Sequence, residues 1–428
     1  MTTKTIAFAT LGCKLNFTET SAIARSLDSK RYSQVEFNEC ADIYVVQSCT
    51  VTAAAEKKCR SLIRQARRRN PESLITVMGC MAQLNSSSLM QMQEVDLIVG
   101  NADKFRLDEI LASRNHESSK QEVVSKINDI RSFEPSFSFE RRTRAFVKIQ
   151  DGCNYLCSYC AIPLARGRSR SSVIAETIQT IKTVVENGAK EIVLSGVNIG
   201  MYGTQPNETL LTLLKEILKM GKPDRIRLSS IEPDLLDDEI IALVAENKQF
   251  MPHFHLPVQS GSDTVLKRMG RKYTTSTVTD KVLKIKLFMP SAFIAADVIS
   301  GFPGETDKEF EETYALLDKL PFSYLHVFPF SSRPNTKAAL MSQHLPYPLI
   351  KSRVAKLNAL SKSKKIDFYR ENTGGIENVL FEDNLDSGFI SGYTSNYLRY
   401  KTLWDNQLVN QIRTVTLKQL NEEPCFIG

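Results

Sequence analysis

Cys153, Cys157 and Cys160 stand in one run, Cys-Asn-Tyr-Leu-Cys-Ser-Tyr-Cys, at intervals of four and three residues. Three thiolates so spaced fit on one tight loop and suit three corners of a cubane iron–sulfur cluster, which takes four ligands when closed. No cysteine follows before Cys425, so the local sequence leaves one iron without a protein ligand. An open position on a metal site is where a small molecule binds and reacts. A zinc knot or an electron-transfer cluster competes for the same three residues, and either is expected to bring a fourth ligand.

Cys13, Cys49 and Cys80 form a second set, each just past a short apolar run at 6–9, 42–46 and 74–78. Apolar runs alternating with helical patterns indicate a parallel α/β sheet. In such sheets ligands gather at the carboxyl ends of the strands. The three cysteines are therefore expected to converge on one sheet edge as a second three-thiolate centre. Cys40, before a strand, and Cys59, inside a helix, are expected to be small buried or half-buried apolar residues. Residues 113–143 read as a linker with one strand at Val123-Val124.

From Arg144, candidate strands at 146–150, 191–195, 225–229, 253–257, 293–299 and 324–328 alternate with helical patterns at 174–186, 210–220, 237–246 and 308–319. Six such units suggest a partial (β/α)6 barrel with chemistry on the loops at the carboxyl ends of its strands. Those loops hold Ser195-Gly196, Ser229-Ser230, Gln259-Ser260-Gly261 and the run 300–305. His253, His255 and His326 read as hydrogen-bonded structure rather than acid–base groups. Short alternating runs after residue 371 read as a small all-β barrel.

The chain has 428 residues, 42% hydrophobic and 24% charged, enough for two or three globular domains. No apolar run reaches membrane-spanning length, and the amino-terminal residues lack the pattern of a signal peptide. Nine cysteines without a secretion signal point to reduced thiols, metal ligation and a cytoplasmic setting. A net charge of +7 is compatible with a polyanionic partner such as RNA. Candidate phosphate contacts are the basic helix at 64–69, the loop 166–170 and the stretch 351–370. From Glu371 onward eight acidic residues face four basic ones, the wrong sign for phosphate, so base stacking on Tyr393, Tyr397, Tyr400 or Trp404 is the expected use of that part.

The cysteine spacing and the surrounding runs 147–163 and 165–170 resemble the radical S-adenosylmethionine enzymes, and within them the methylthiotransferase branch. Residues 12–16, 48–52 and 78–80 resemble the three cysteine motifs of that branch's amino-terminal domain, with Gln47-Ser48 where the family usually has Asn-Thr. The runs 195–198, 255–261, 297–306 and 326–328 resemble its barrel loops, and 379–382 and 392–397 its TRAM appendage.

The resemblance implies three domains: an amino-terminal α/β domain over 1–130, a partial (β/α)6 barrel with a basic helical extension over 144–370, and a TRAM-like β-barrel over 371–428. It implies two 4Fe-4S clusters. Cys153, Cys157 and Cys160 would hold the catalytic one, whose open iron binds S-adenosylmethionine; Cys13, Cys49 and Cys80 would hold an auxiliary one that carries sulfur. Tyr159 is expected beside the catalytic cluster, Ser195 and Gly196 near the methionyl amine, and Gln259 lower in the site. The implied reaction adds a methylthio group to C2 of a tRNA adenosine. The runs 49–52, 146–153 and 196–203 resemble the enzymes acting on threonylcarbamoyladenosine beside the anticodon. The alternatives are isopentenyladenosine, an aspartate on a ribosomal protein, or a non-catalytic RNA-binding protein with structural clusters. Expected partners are tRNA, a flavodoxin- or ferredoxin-type electron donor and a sulfur donor, with no membrane.

Overall fold

The computed structural model describes residues 3–114, 120–130, 132–138, 143–203, 207–420 and 424–428. The first unit is a six-stranded parallel sheet of β1 (Lys4–Thr10), β2 (Tyr32–Val35), β3 (Ile43–Ser48), β4 (Leu74–Gly79), β5 (Leu97–Val99) and β6 (Gln121–Val123), in the order β2-β1-β3-β4-β5-β6. β3 is buried along its whole length and β4 nearly so, as expected of a parallel sheet covered on both faces. Strand order reverses at β1 and β3, the place where such sheets open a crevice at their carboxyl ends. Cys13 and Cys49 follow those two strands. Residues 113–143 are more than a linker: β6 extends the first sheet, and β7 (Ser136–Ser138) begins the second unit.

In the second unit β8 (Arg144–Lys148) leads into a short antiparallel pair, β9 (Gln150–Asp151) and β10 (Arg170–Ser171), which brackets the 153–160 loop. β11 (Glu191–Ser195), β12 (Arg225–Leu228), β13 (His253–Gln259), β14 (Phe293–Ser300) and β15 (Tyr324–Pro329) follow. β8, β11 and β12 are parallel neighbours, as are β13, β14 and β15. A bridge between Ile226 and Phe250 joins the two halves. Six strands in chain order thus make an open barrel, with intervening helices such as Ile174–Glu186, Leu210–Lys219 and Asp307–Lys319 outside. Ala145, Val147, Ile192, Leu194, Ile226, Leu228, Leu256 and Ala296 pack into the shared core with those helices. The alternate residues face the other way and are largely polar, which period-two geometry requires of a strand with one apolar face.

The helix Tyr347–Glu371 leads to β16 (Ile376–Asp386), β17 (Phe389–Thr394), β18 (Arg399–Leu403), β19 (Ile412–Thr416), β20 (Gln419–Leu420) and β21 (Phe426–Ile427), one curled sheet in the order β19-β16-β17-β18-β21-β20. Its core includes Phe293 and Ala295 of β14, so it is docked on the barrel rather than tethered to it. Arg225 donates to the Tyr393 carbonyl (3.0 Å), and Arg144 pairs with Glu382 (2.8 Å). Both arginines begin barrel strands, so this sheet covers the amino-terminal ends of those strands.

Two candidate metal centres

The amino-terminal cysteines meet because two glycines let three loops touch. Gly12 has φ +104°, and a Cβ there would lie 2.9 Å from Cys49 Cβ and 3.0 Å from its Sγ. Gly79 has φ +99°, and a Cβ would meet the Ser48 carbonyl at 3.1 Å. No other residue takes that backbone cheaply. Asn16 donates to the carbonyls of Leu11 (2.6 Å) and Ser48 (3.1 Å), while the Ser48 hydroxyl donates to the Met78 carbonyl (2.6 Å) and accepts from Met81 N (3.1 Å). Ser48 therefore does the bridging at this edge, and the buried Gln47 amide has no hydrogen-bond partner among the described residues. Cys13, Cys49 and Cys80 lie close enough to feel one another's charge. Burial pushes the Cys49 thiol up to about 11 and raises Cys13 despite Arg166. Thiolate ligation at these residues would therefore release protons.

Cys59 is fully buried in the apolar core beneath its helix Ala53–Arg69, as expected. Cys40 is not buried: it sits exposed on the turn before β3, where the chain has left the sheet and has no core to enter. Asn101, which sequence reasoning missed, donates to Cys80 Sγ (3.4 Å) and to the Ala165 carbonyl (2.8 Å), tying the first sheet to the second unit.

The 153–160 loop is pinned at both ends. Cys153 N donates to the Gly167 carbonyl (3.1 Å), and Ser158 donates through its N and hydroxyl to the carbonyls of Met269 and Arg268, each at 2.9 Å. Gly152 has φ +70°, and a Cβ there would fall 2.1 Å from the Arg168 carbonyl. Three donors reach the sulfurs: Tyr155 N to Cys153 (3.4 Å), Ile162 N to Cys160 (3.4 Å) and the Arg271 guanidinium to Cys157 (3.0 Å). Arg271 also pairs with Glu232 and donates to the Tyr159 hydroxyl (3.3 Å). It lies 111 residues beyond Cys160, and nothing local in the sequence marks it. Burial pushes the Cys160 thiol up to about 12.

One cavity reaches both cysteine-bearing loops, through Cys160 on one side and the residues after Cys49 on the other. A cavity of about 240 Å³ is lined by Tyr159, Cys160, Gln259, Asp297 and Ile299, with Val51 and Thr52 from the loop after Cys49 closing it. Of the predicted cofactor contacts, Tyr159 and Gln259 (φ +66°) line this cavity. Ser195 is fully buried, with its hydroxyl donating to the Val193 carbonyl (3.1 Å). Gly196 is backed by Gln150, whose amide oxygen would lie 2.7 Å from a Cβ there. Ser195 and Gly196 are not among the residues lining this cavity. Across the interface, Arg333 pairs with Glu56 (3.3 Å) and the Ser331 hydroxyl accepts from Ala53 N (3.3 Å).

A buried ion network locks the two cysteine units together. Glu19, fully buried, receives Lys104 (2.6 Å), Lys148 (3.0 Å) and Arg166 (3.0 Å to each oxygen). Arg166 also pairs with Asp151 (2.9 Å) and donates to Asn16 (2.7 Å), and Arg170 pairs with Asp151 (2.8 Å). Burial opposes charge on Glu19, but Arg166, then Lys104 and Lys148, hold it well below the usual carboxylate range. Isolated charges so deep would be prohibitively costly; the reciprocal pairing is what allows them.

These contacts correct the expected phosphate surfaces. Arg166 and Arg170 are spent on Glu19 and Asp151. Arg67 pairs with Asp96 (2.6 Å), and Arg69 donates to the Phe37 carbonyl (2.5 Å). Arg353 is buried against Glu305 (2.6 Å), and Lys364 donates to the carbonyls of Asp318 and Leu320 (2.8 and 2.9 Å) at the end of the helix Asp307–Lys319. Lys57, Lys58, Arg64, Arg68, Arg168, Lys351 and Lys362 remain exposed. The histidine reading holds for His255, whose Nδ1 lies 2.6 Å from Ser230 Oγ and Nε2 2.8 Å from Asp297.

Residues 5–100 match the model of the uncharacterized protein family UPF0004, and residues 147–317 that of the radical SAM superfamily. The chain is 39% identical over 383 residues to the threonylcarbamoyladenosine tRNA methylthiotransferase MtaB of Aquifex aeolicus, covering 89% of this chain and 93% of that one. Its Bacillus subtilis counterpart is 38% identical, over 96% and 93%. The tRNA-2-methylthio-N(6)-dimethylallyladenosine synthase of Staphylococcus saprophyticus is 35% identical, over 95% and 80%. Among solved structures, the radical S-adenosylmethionine methyltransferase TsrM of Kitasatospora setae shares the fold, with a TM-score of 0.57 at 14% identity over 91% of this chain and 81% of that one. Identity at this level over nearly the whole length, with the two cysteine sets in their places, means that the chain belongs to the radical S-adenosylmethionine methylthiotransferase family.

Proposed function

We propose that the chain transfers a methylthio group to C2 of threonylcarbamoyladenosine in tRNA. The observation that carries this reading is one cavity walled by Cys160 on one side and by the loop after Cys49 on the other, in a chain whose similar relatives bear that activity in their names. Soft thiolates in threes suit iron–sulfur clusters with one open iron each, and the donor set fits, because all six cysteines are free thiols. Cys153, Cys157 and Cys160 hold the catalytic 4Fe-4S cluster, and Cys13, Cys49 and Cys80 the auxiliary one. When bound, these clusters supply reductive cleavage of S-adenosylmethionine on one side and sulfur for insertion on the other.

The chain's own residues do the positioning. Arg271, on Cys157 Sγ, places a fixed positive charge beside the catalytic thiolates and favours the electron-rich state. Tyr159 and Gln259 face the cofactor from the cavity wall. Val51 and Thr52 close the space against water, which an enclosed reaction of this kind needs. The curled carboxy-terminal sheet acts as a TRAM-like arm that presents stacking rings to the RNA. An electron donor of flavodoxin or ferredoxin type, a sulfur donor and a cytoplasmic setting complete the reading; no helix among the described residues is long and apolar enough to cross a membrane.

Anaerobic assay with a threonylcarbamoyladenosine-bearing anticodon stem–loop tests it. Cys153→Ala, Cys157→Ala or Cys160→Ala abolishes cleavage of S-adenosylmethionine. Cys49→Ala retains cleavage but forms no methylthio product. Methylthiolation by the Cys49→Ala enzyme would refute the assignment of the second set.

A further inference from the structure

A second, larger cavity of about 730 Å³ runs from the barrel interior to the curled sheet, in the size range of small-molecule sites. Lys14, His253, His255, Asp297, Tyr397 and Arg399 are among its walls. Lys14 directly follows Cys13 and begins the helix Lys14–Ser26. Its side chain is exposed and lines this cavity.

Lys14 differs from the other cations enclosed nearby. Arg166, Lys104 and Lys148 have Glu19 and Asp151, Arg225 and Arg227 have Glu191, and Arg144 has Glu382. Among the described residues no carboxylate lies within ion-pair distance of Lys14, and the nearest ring face, that of Phe146, is 5.9 Å from its ammonium. Asp297 is the one carboxylate lining the cavity, and His255 engages it at 2.8 Å. Lys14, Lys365 and Arg399 thus put three cations on the cavity wall against one carboxylate, Asp297, which His255 already engages. Such a wall calls for an anionic ligand.

We propose that Lys14 is the anion anchor of the substrate pocket, its ammonium receiving the carboxylate of the threonylcarbamoyl arm and so selecting adenosines with an acidic N6 substituent. The inference rests on the substrate reading above and adds the residue that reads the substrate. On adenine, C2 and C6 flank N1 and C6 carries N6, so a cation beside the auxiliary cysteines lies on the side of the base that carries the arm. An extruded base reaches this depth, whereas the phosphates stay at the mouth with Arg399.

The test uses the reconstituted holoenzyme and two stem–loops that differ only in the arm: the free carboxylic acid and its neutral primary amide. Wild-type kcat/KM favours the acid by about ten- to hundredfold, the size of a charge-assisted hydrogen bond. Lys14→Met, with both clusters verified by iron content, brings the ratio to within about threefold, chiefly by raising KM for the acid. Lys14→Arg keeps a clear preference for the acid. An unchanged ratio in Lys14→Met overturns the proposal, including the case in which Lys14 meets a phosphate, because both stem–loops then weaken together. If Lys14→Met fails to hold iron, Lys14→Arg decides: a ratio near one in that variant overturns the proposal. Wild-type enzyme inactive on both stem–loops would instead sink the substrate reading beneath it.

Discussion

Gly12 leaves so little room against Cys49 that one methyl group would separate the loops that bring three sulfurs together. Gly12→Ala should therefore lose about half of the iron, that of the auxiliary centre, while keeping the signal of the catalytic one; iron analysis with low-temperature magnetic resonance checks this. Arg271 makes the complementary case at the other loop. Removing its charge from Cys157 with Arg271→Gln should lower the reduction potential of the catalytic cluster, measurable by redox titration. The six cysteines were legible in the sequence because ligand spacing and strand-end position leave local marks. Arg271, Asn101 and Lys14 were not: each meets its site across a fold contact or a cavity wall, and no spacing rule connects a side chain to a partner so far along the chain.

At the scale of elements, the Glu19 network determines how the first sheet sits on the barrel. Its helix supplies one carboxylate and β8 to β10 supply most of the cations, so the interface is held by reciprocal charges rather than by an apolar face. Glu19→Gln leaves Lys104, Lys148 and Arg166 short of a partner and should destabilise the protein by about 3–5 kcal/mol, read from urea unfolding at pH 7. Because Glu19 is held well below its ordinary value of about 4.3, its contribution is fully present above that pH and is lost as pH falls below it. The wild-type unfolding midpoint should decline on acidification below about pH 5, and the Glu19→Gln protein should decline less. The barrel strands were readable within a residue or two because each alternates apolar and polar residues, and β3 and β4 because both faces are covered. β2, a half-exposed edge, and β5, three residues long, carry too few apolar positions to stand out, whereas β6 was marked by Val123-Val124. The basic helices misled for a related reason: sequence counts charges but does not show which are already paired.

Over the whole molecule, the larger cavity lies where the first unit, the barrel interior and the curled sheet meet, so a base bound there would need all three assembled. The net-negative carboxy-terminal sheet does not gather phosphate by bulk charge. Its contribution is local, through Arg399 on the cavity rim and the stacked pair Tyr393 and Tyr397, whose ring centroids are 4.8 Å apart. Arg399→Ala should weaken tRNA binding and reduce the slope of log affinity against log salt by about one, as measured by filter binding over a salt series.

The central claim, a methylthio group placed on threonylcarbamoyladenosine, is tested most directly by mass spectrometry of nucleosides from total tRNA of cells with and without this gene. Methylthio-threonylcarbamoyladenosine should disappear with the gene, its unmethylthiolated precursor should accumulate, and restoring the wild-type chain but not Cys49→Ala should reverse both. Persistence of that nucleoside in the deletion strain, with loss of a different methylthio species or of none, would contradict it.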